Sequence, residues 1–159
     1  MRRSGGFSIA LSILLLASAA KAGPPGEWRA YGADKASTKY LPLEQITPEN
    51  VHQLRLAWRW RSADQEILAA DPGLRTMLYE ATPLMVGGVL YTSTSLSQAV
   101  AIDALTGQTL WVHDPQTYKA GAPANVGFVH RGVAYWEQGE DRRILMGTGD
   151  GYLICLDAR

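Results

Sequence analysis

Apolar and polar residues alternate with a period of two through much of this chain. Leu54, Leu56, Trp58 and Trp60 alternate with Arg55, Ala57, Arg59 and Arg61, the pattern of a strand with one apolar and one basic face. Further on, short runs rich in Val, Ile, Leu, Tyr and Trp are separated by glycine-bearing turns. They predict strands at 82–86 and 89–94 around Gly87-Gly88, then at 100–103 and 109–113 around Thr106-Gly107. Two more pairs are predicted, 128–129 with 133–136 around His130-Arg131-Gly132, and 144–148 with 152–157 around Gly149-Asp150-Gly151. The helix signal is confined to Thr47-Pro48-Glu49-Asn50, with Thr47 as cap, Pro48 at the first helical position and the helix reaching about Gln53. Residues 27–43 read as irregular, ordered by Trp28, Tyr31 and Tyr40. Residues 63–76 read as a polar connection turned by Asp71-Pro72-Gly73.

These hairpins repeat. Residues 101–111 read Ala-Ile-Asp-Ala-Leu-Thr-Gly-Gln-Thr-Leu-Trp, a strand ending in Asp103, a tight turn and a return strand that delivers Trp111. The phrase begins again at Ile154-Cys155-Leu156-Asp157-Ala158. Asp103 and Asp157 stand 54 residues apart, a spacing in the range of propeller blades. Each unit is a small antiparallel sheet that cannot bury both faces alone, so stability requires stacked neighbours. Trp111 suits a wedge between adjacent blades, with an indole N–H that needs an acceptor when buried. The expectation is an all-β chain comprising about two blades, the opening of a longer repeat.

The first residues read as an export signal. Arg2 and Arg3 form a positive start, residues 9–20 an apolar run too short to span a bilayer comfortably, and Ala20-Lys21-Ala22 a small-x-small cleavage pattern. Residues 1–22 are therefore expected to be removed and 23–159 to form the mature chain in the periplasm. Fifteen basic and fifteen acidic residues cancel, which argues against nucleic acid or anionic lipid as a partner. Cys155 is the single cysteine; it cannot form an internal disulfide and is expected to be a small buried hydrophobe. His52, His113 and His130 are too scattered for a metal-ligand pattern and read as surface or turn residues, with His130 placed to line a pocket beside Arg131. Asp103, Asp114 and Asp150 read as turn carboxylates.

Taken together, Trp28-Arg29-Ala30-Tyr31-Gly32, residues 40–46, residues 50–54, Thr82-Pro83-Leu84, the 101–111 phrase and residues 131–136 resemble the start of the pyrroloquinoline-quinone (PQQ)-dependent dehydrogenases. The similarity runs in order through 27–159 and looks nearer to the glucose, quinate and shikimate type, and to related sugar or polyol enzymes, than to methanol dehydrogenase. The resemblance implies an eight-bladed β-propeller that holds PQQ and a divalent ion, usually calcium, near its axis. It implies oxidation of a sugar, polyol or other alcohol by hydride transfer to PQQ, with electrons passing to ubiquinone or a cytochrome. Glu80 matches the family's early cofactor-contacting Glu, and Arg131 the Arg that pairs with it. PQQ carries three carboxylates, and a guanidinium binds a carboxylate bidentately without losing its charge.

Two departures accompany the likeness. The adjacent cysteines that many alcohol-oxidising members place before this Arg are replaced by Asn125 and Val126, as in sugar- or polyol-type members. The family's metal ligands and catalytic Asp correspond to positions beyond residue 159, so no catalytic or metal-binding residue is assigned within the chain and the chain alone is expected to be inactive. Any membrane association would not come from a segment of the mature chain. A non-enzymatic propeller scaffold with the same repeats, or a small β binding module, remain as alternative readings of the hairpins themselves.

Overall fold

Two antiparallel sheets account for most of the regular structure in a computed structural model that describes residues 26–124 and 126–159. The predicted leader, 1–22, and Asn125 lie outside the described residues. The first sheet is a four-stranded meander of β1 (Leu84–Val86), β2 (Val89–Ser93), β3 (Ala99–Asp103) and β4 (Thr109–His113), hydrogen-bonded in that order. The second has three strands in sequence order, β5 (Ala134–Gln138), β6 (Asp141–Gly147) and β7 (Leu153–Asp157). The β3–β4 turn shows why the repeated phrase needs its Asp and Thr. The Asp103 carboxylate accepts from the backbone N–H of Leu105 and Thr106 at 3.0 and 2.7 Å and from the Thr106 hydroxyl at 2.8 Å. These bonds, led by the Thr106 backbone N–H, hold the Asp103 carboxyl below its ordinary range.

Register places one row of side chains across each sheet. Leu84 pairs with Tyr91, Tyr91 with Ala101, and Ala101 with Trp111; Tyr135 pairs with Ile144, and Ile144 with Leu156. The two rows meet in the core, joined by Val86 and Ala158, with Trp28, Val89 and Val133 packed against them. Ala101 is fully buried, and its small side chain leaves room for Tyr91 and Trp111 to approach over it with ring centroids 6.1 Å apart. Tyr91 also meets Tyr135 of the second sheet at 6.2 Å. A bulge between Ala101 and Ile102 makes Leu110 the extra residue of β4, which brings Trp111 opposite Ala101.

Trp111 does what the sequence assigns to it. Its indole N–H donates across the sheet interface to Ala158 O at 3.4 Å, and the Tyr91 hydroxyl donates to the same oxygen at 3.0 Å. The structure adds a second copy that the sequence reading missed. Trp58 donates to Ala104 O at 3.2 Å, and Ala104 follows Asp103 as Ala158 follows Asp157. A Cβ added to Gly107 would stand 2.5 Å from the Trp58 ring, and the Gly107 φ of +73° also disfavours any other residue. Trp58 precedes Trp111 by 53 residues, so the signal for it was the repeat period itself.

Other expectations change. Residues 54–61 form no strand. Their apolar alternation divides: Leu54 and Leu56 are exposed, whereas Trp58 and Trp60 reach back to the first sheet, Trp60 donating to Thr109 Oγ1 at 2.9 Å. The helix at 48–53 is only a 3-10 turn, Val51–Gln53, with Asn50 rather than Thr47 at the cap position and no side-chain cap bond; Asn50 Oδ1 instead accepts from the preceding Thr47 N–H at 2.8 Å. The connection 63–76 contains a seven-residue helix α1 (Asp64–Ala70), followed by the expected turn, where Asp71 accepts from Gly73 N–H at 2.9 Å. Phe128 and Val129 do not pair with 133–136; Phe128 bridges Thr76 in parallel, and the partner of β5 is β6. Cys155 is exposed, because alternation along β7 sends it to the face opposite Leu156. In 27–43, Trp28 orders the segment through its backbone bonds with Met85 and its place against the core, whereas Tyr31 and Tyr40 are exposed.

The N-terminal segment also ties both sheets together at the end opposite the site described below. Arg29 pairs with Glu27 and Glu137, Glu27 accepts from Gly87 N–H at 2.9 Å, and Tyr135 donates to Glu137 at 2.9 Å. The Arg29 and then the Tyr135 bonds hold the Glu137 carboxyl below its usual range, while burial, followed by Glu137, pushes the Tyr135 phenol up to about 12.

Two outcomes follow from this packing. Trp111→Ala removes both the interface ring and a donor to Ala158 O, and is expected to lower the unfolding free energy by about 3 kcal/mol, against about 1 kcal/mol for Trp111→Phe. Urea unfolding followed by circular dichroism reads the difference. Because folding lowers the Glu137 pKa, its contribution is present above the ordinary carboxylate range and lost as pH falls through the folded value. Glu137→Gln should therefore flatten the fall in melting temperature between about pH 5 and about pH 3, whereas an unchanged acid limb would remove Glu137 from the account.

Candidate functional site

Strand direction sets which loops share an end. β1 and β5 start, and β2, β4 and β6 finish, at the same edge of their sheets, so the segments before β1 and β5 come together there. They run side by side from the parallel Thr76–Phe128 bridge to a bond from Thr82 N–H to Arg131 O at 3.4 Å. Glu80 precedes β1 and Arg131 precedes β5. The structure brings these two predicted residues together, with Arg131 Nη2 3.2 Å from Glu80 Oε2.

The backbone beneath the pair is closely held. Ser95 Oγ donates to Leu78 O at 3.0 Å, and the Tyr79 and Thr92 hydroxyls share a bond of 2.9 Å. The Thr94–Gln98 loop behind them is fixed by Asp64, which is 4 % exposed at the start of α1 and accepts from Leu96 N–H at 3.2 Å and Gln98 Nε2 at 2.7 Å. Sequence reasoning passed over Asp64, since nothing in a polar stretch marks a carboxylate that will be buried. Gly132 has φ +123°, and a Cβ there would lie 3.2 Å from Thr82 O. His130, read as a turn residue beside Arg131, bonds the main chain there: its Nε2 lies 2.7 Å from Gly147 O, and Gly132 N–H donates to its Nδ1 at 3.2 Å.

The ion pair itself contributes little to the fold. The Arg131 side chain is 83 % exposed and that of Glu80 35 %, and pairs so placed are worth about 0–1 kcal/mol. A planar cation with one carboxylate partner retains N–H donors for a second. A neighbouring cleft of about 150 Å³, lined by Ser95, Ser97, Thr117, Phe128 and Asp150 among others, includes neither residue, so the pair faces outward. Asp103, Asp114 and Asp150 are all engaged in turn bonds. Among the described residues no group of three or more His, Cys, Asp or Glu is placed to hold a metal. Chemically, the exposed guanidinium has donors free for an anionic partner.

Gly132→Ala is expected to destabilise the chain by at least about 1 kcal/mol, through both the positive φ and the approach to Thr82 O. Hydrogen exchange at the Thr82 amide should quicken selectively. Wild-type protection in the variant would show that the two segments are not held at this point.

Comparison with known proteins identifies the family of the two sheets. A family model described as the PQQ-type glucose/ethanol/alcohol dehydrogenase β-propeller domain matches residues 28–159. The dehydrogenase subunit of a quinone alcohol dehydrogenase from Gluconobacter oxydans is 38% identical over 150 residues, covering 91% of this chain and 17% of the relative. The quinoprotein glucose dehydrogenase of Escherichia coli is 35% identical over 146 residues, covering 83% and 17%. The crystal structure of the quinohemoprotein alcohol dehydrogenase from Comamonas testosteroni superposes with a TM-score of 0.69 at 38% identity, covering 86% of this chain and 18% of that one. The chain thus spans less than a fifth of the length of these relatives, and alcohol- and glucose-oxidising members match it at similar identity. On the family match through both sheets, this chain belongs to the PQQ-type glucose/ethanol/alcohol dehydrogenase β-propeller family.

Proposed function

We propose that this chain supplies the Glu80–Arg131 wall of the cofactor site in an exported, PQQ-dependent dehydrogenase that oxidises an alcohol, sugar or polyol. The observation that carries the reading is the meeting of Glu80 and Arg131 at an exposed edge, 3.2 Å apart, within the family-matched region and contributing little to stability. The residues fit the group: an exposed guanidinium suits a carboxylate ligand, and a rigid backbone beneath it reduces the ordering cost of binding. When bound, PQQ supplies an acceptor for the hydride from the carbinol carbon.

In this reading Arg131 binds a cofactor carboxylate, and Glu80, paired with it, contacts the cofactor beside it. The ordered loops 78–82 and 94–98 form the adjoining wall. Calcium or another divalent ion, its ligands and the base that takes the hydroxyl proton belong to other parts of the dehydrogenase. Electrons pass onward to ubiquinone or a cytochrome, and residues 1–22 direct export to the periplasm. Among the described residues no helix is long and apolar enough to cross a membrane.

Titration of the full chain with PQQ, with and without calcium, tests the proposal. Saturable quenching of tryptophan fluorescence is expected. Arg131→Ala should weaken binding by at least about tenfold, the loss of one charge-assisted bidentate contact, and Glu80→Gln by about threefold. Absence of binding, or equal affinity in Arg131→Ala, would overturn it.

A further inference from the structure

Arg131 lies between two residues that one imidazole ties down. The Gly147 carbonyl can only accept and the Gly132 N–H can only donate, so the contacts at His130 Nε2 (2.7 Å) and Nδ1 (3.2 Å) admit a single protonation state. That state is the neutral imidazole with its proton on Nε2. One bond closes the chain around Arg131, from residue 130 to residue 132. The other fastens it to the last residue of β6. The bond from Thr82 N–H to Arg131 O holds the third side.

An exposed ion pair is too weak to fix a long side chain against its own rotamer entropy. The aim of the guanidinium must come from the backbone that carries it. We propose that His130, as its neutral Nε2–H tautomer, is a positioning residue that sets Arg131 against Glu80 and toward a carboxylate ligand. The proposal rests on the carboxylate-binding reading of Arg131 given above. An Asn at this position would keep the local bond to Gly132 N–H through an Asx turn but would leave Gly147 untied. A Phe would keep a ring and lose both bonds.

The test uses the full chain labelled with ¹⁵N. Long-range imidazole spectra at about pH 7 should show His130 protonated at Nε2 and bare at Nδ1. The Arg131 Nε–H signal should shift on Glu80→Gln in the wild type, fail to respond in His130→Phe, and respond in part in His130→Asn. With PQQ as the ligand, affinity should fall by about tenfold in His130→Phe and by about threefold in His130→Asn. The Trp111 indole signal reports whether the sheet interface is intact. If it is lost in His130→Phe, the wild-type tautomer and the Asn variant decide the matter. A proton on Nδ1, or an Arg131 response to Glu80→Gln that survives in a folded His130→Phe, would overturn the proposal. A correct tautomer and coupling in a wild-type chain that binds no PQQ would uphold the positioning role and sink the cofactor reading instead.

Discussion

The carbonyl oxygen of Ala158 joins the two sheets by accepting from both Tyr91 and Trp111. A buried carbonyl needs a donor, and a buried indole or phenol needs an acceptor, so the three groups satisfy one another only when the sheets are stacked at one separation and offset. Everything nearby conforms to that arrangement. Ala101 is small so that two rings can meet above it, the bulge at Leu110 turns Trp111 inward, and the Asp103–Thr106 turn returns the chain in register. Ala104 and Trp58 repeat the device on the other side of the first sheet.

The proposed site sits at an end that this stacking leaves free. The segments before β1 and β5 need not pack for the sheets to dock, yet docking brings their starting points side by side. Glu80 and Arg131 consequently meet without belonging to the core. The weak energetics of their pair and the firm hydrogen bonding of the backbone below it are complementary: the side chains remain available while their attachment points do not move.

The sequence made the blades legible because their determinants are local. Gly87-Gly88, Asp103 through Gly107 and Gly149-Asp150-Gly151 close hairpins by short-range chemistry, and strand ends fall close to where alternation places them. Glu80 and Arg131 were found by resemblance, since no periodicity announces them. The features that escaped depend on distant partners. Residues 54–61 alternate because Trp58 and Trp60 dock on the first sheet, not because the segment pairs locally. Helix α1 owes its place to Asp64, whose partners Leu96 and Gln98 are more than thirty residues away. Phe128 found Thr76 rather than its hairpin neighbour for the same reason, and Cys155 was misplaced because an apolar strand does not show which of its faces is covered.

The bulge at Leu110 carries an evolutionary consequence. Since side chains alternate along a strand, deletion of one residue between Asp103 and Trp111 would swing the tryptophan to the outer face and undo the stack. The mostly exposed stretch 119–124, by contrast, lies in no ladder and has no register to keep, and loop closure grows only slowly more costly with length. Changes in chain length are therefore filtered by position: the turns that set the stack resist them, while the linker leading to Arg131 absorbs them. A repeat built on this unit can vary the stretch leading to Arg131 by insertion while its blades keep the same spacing.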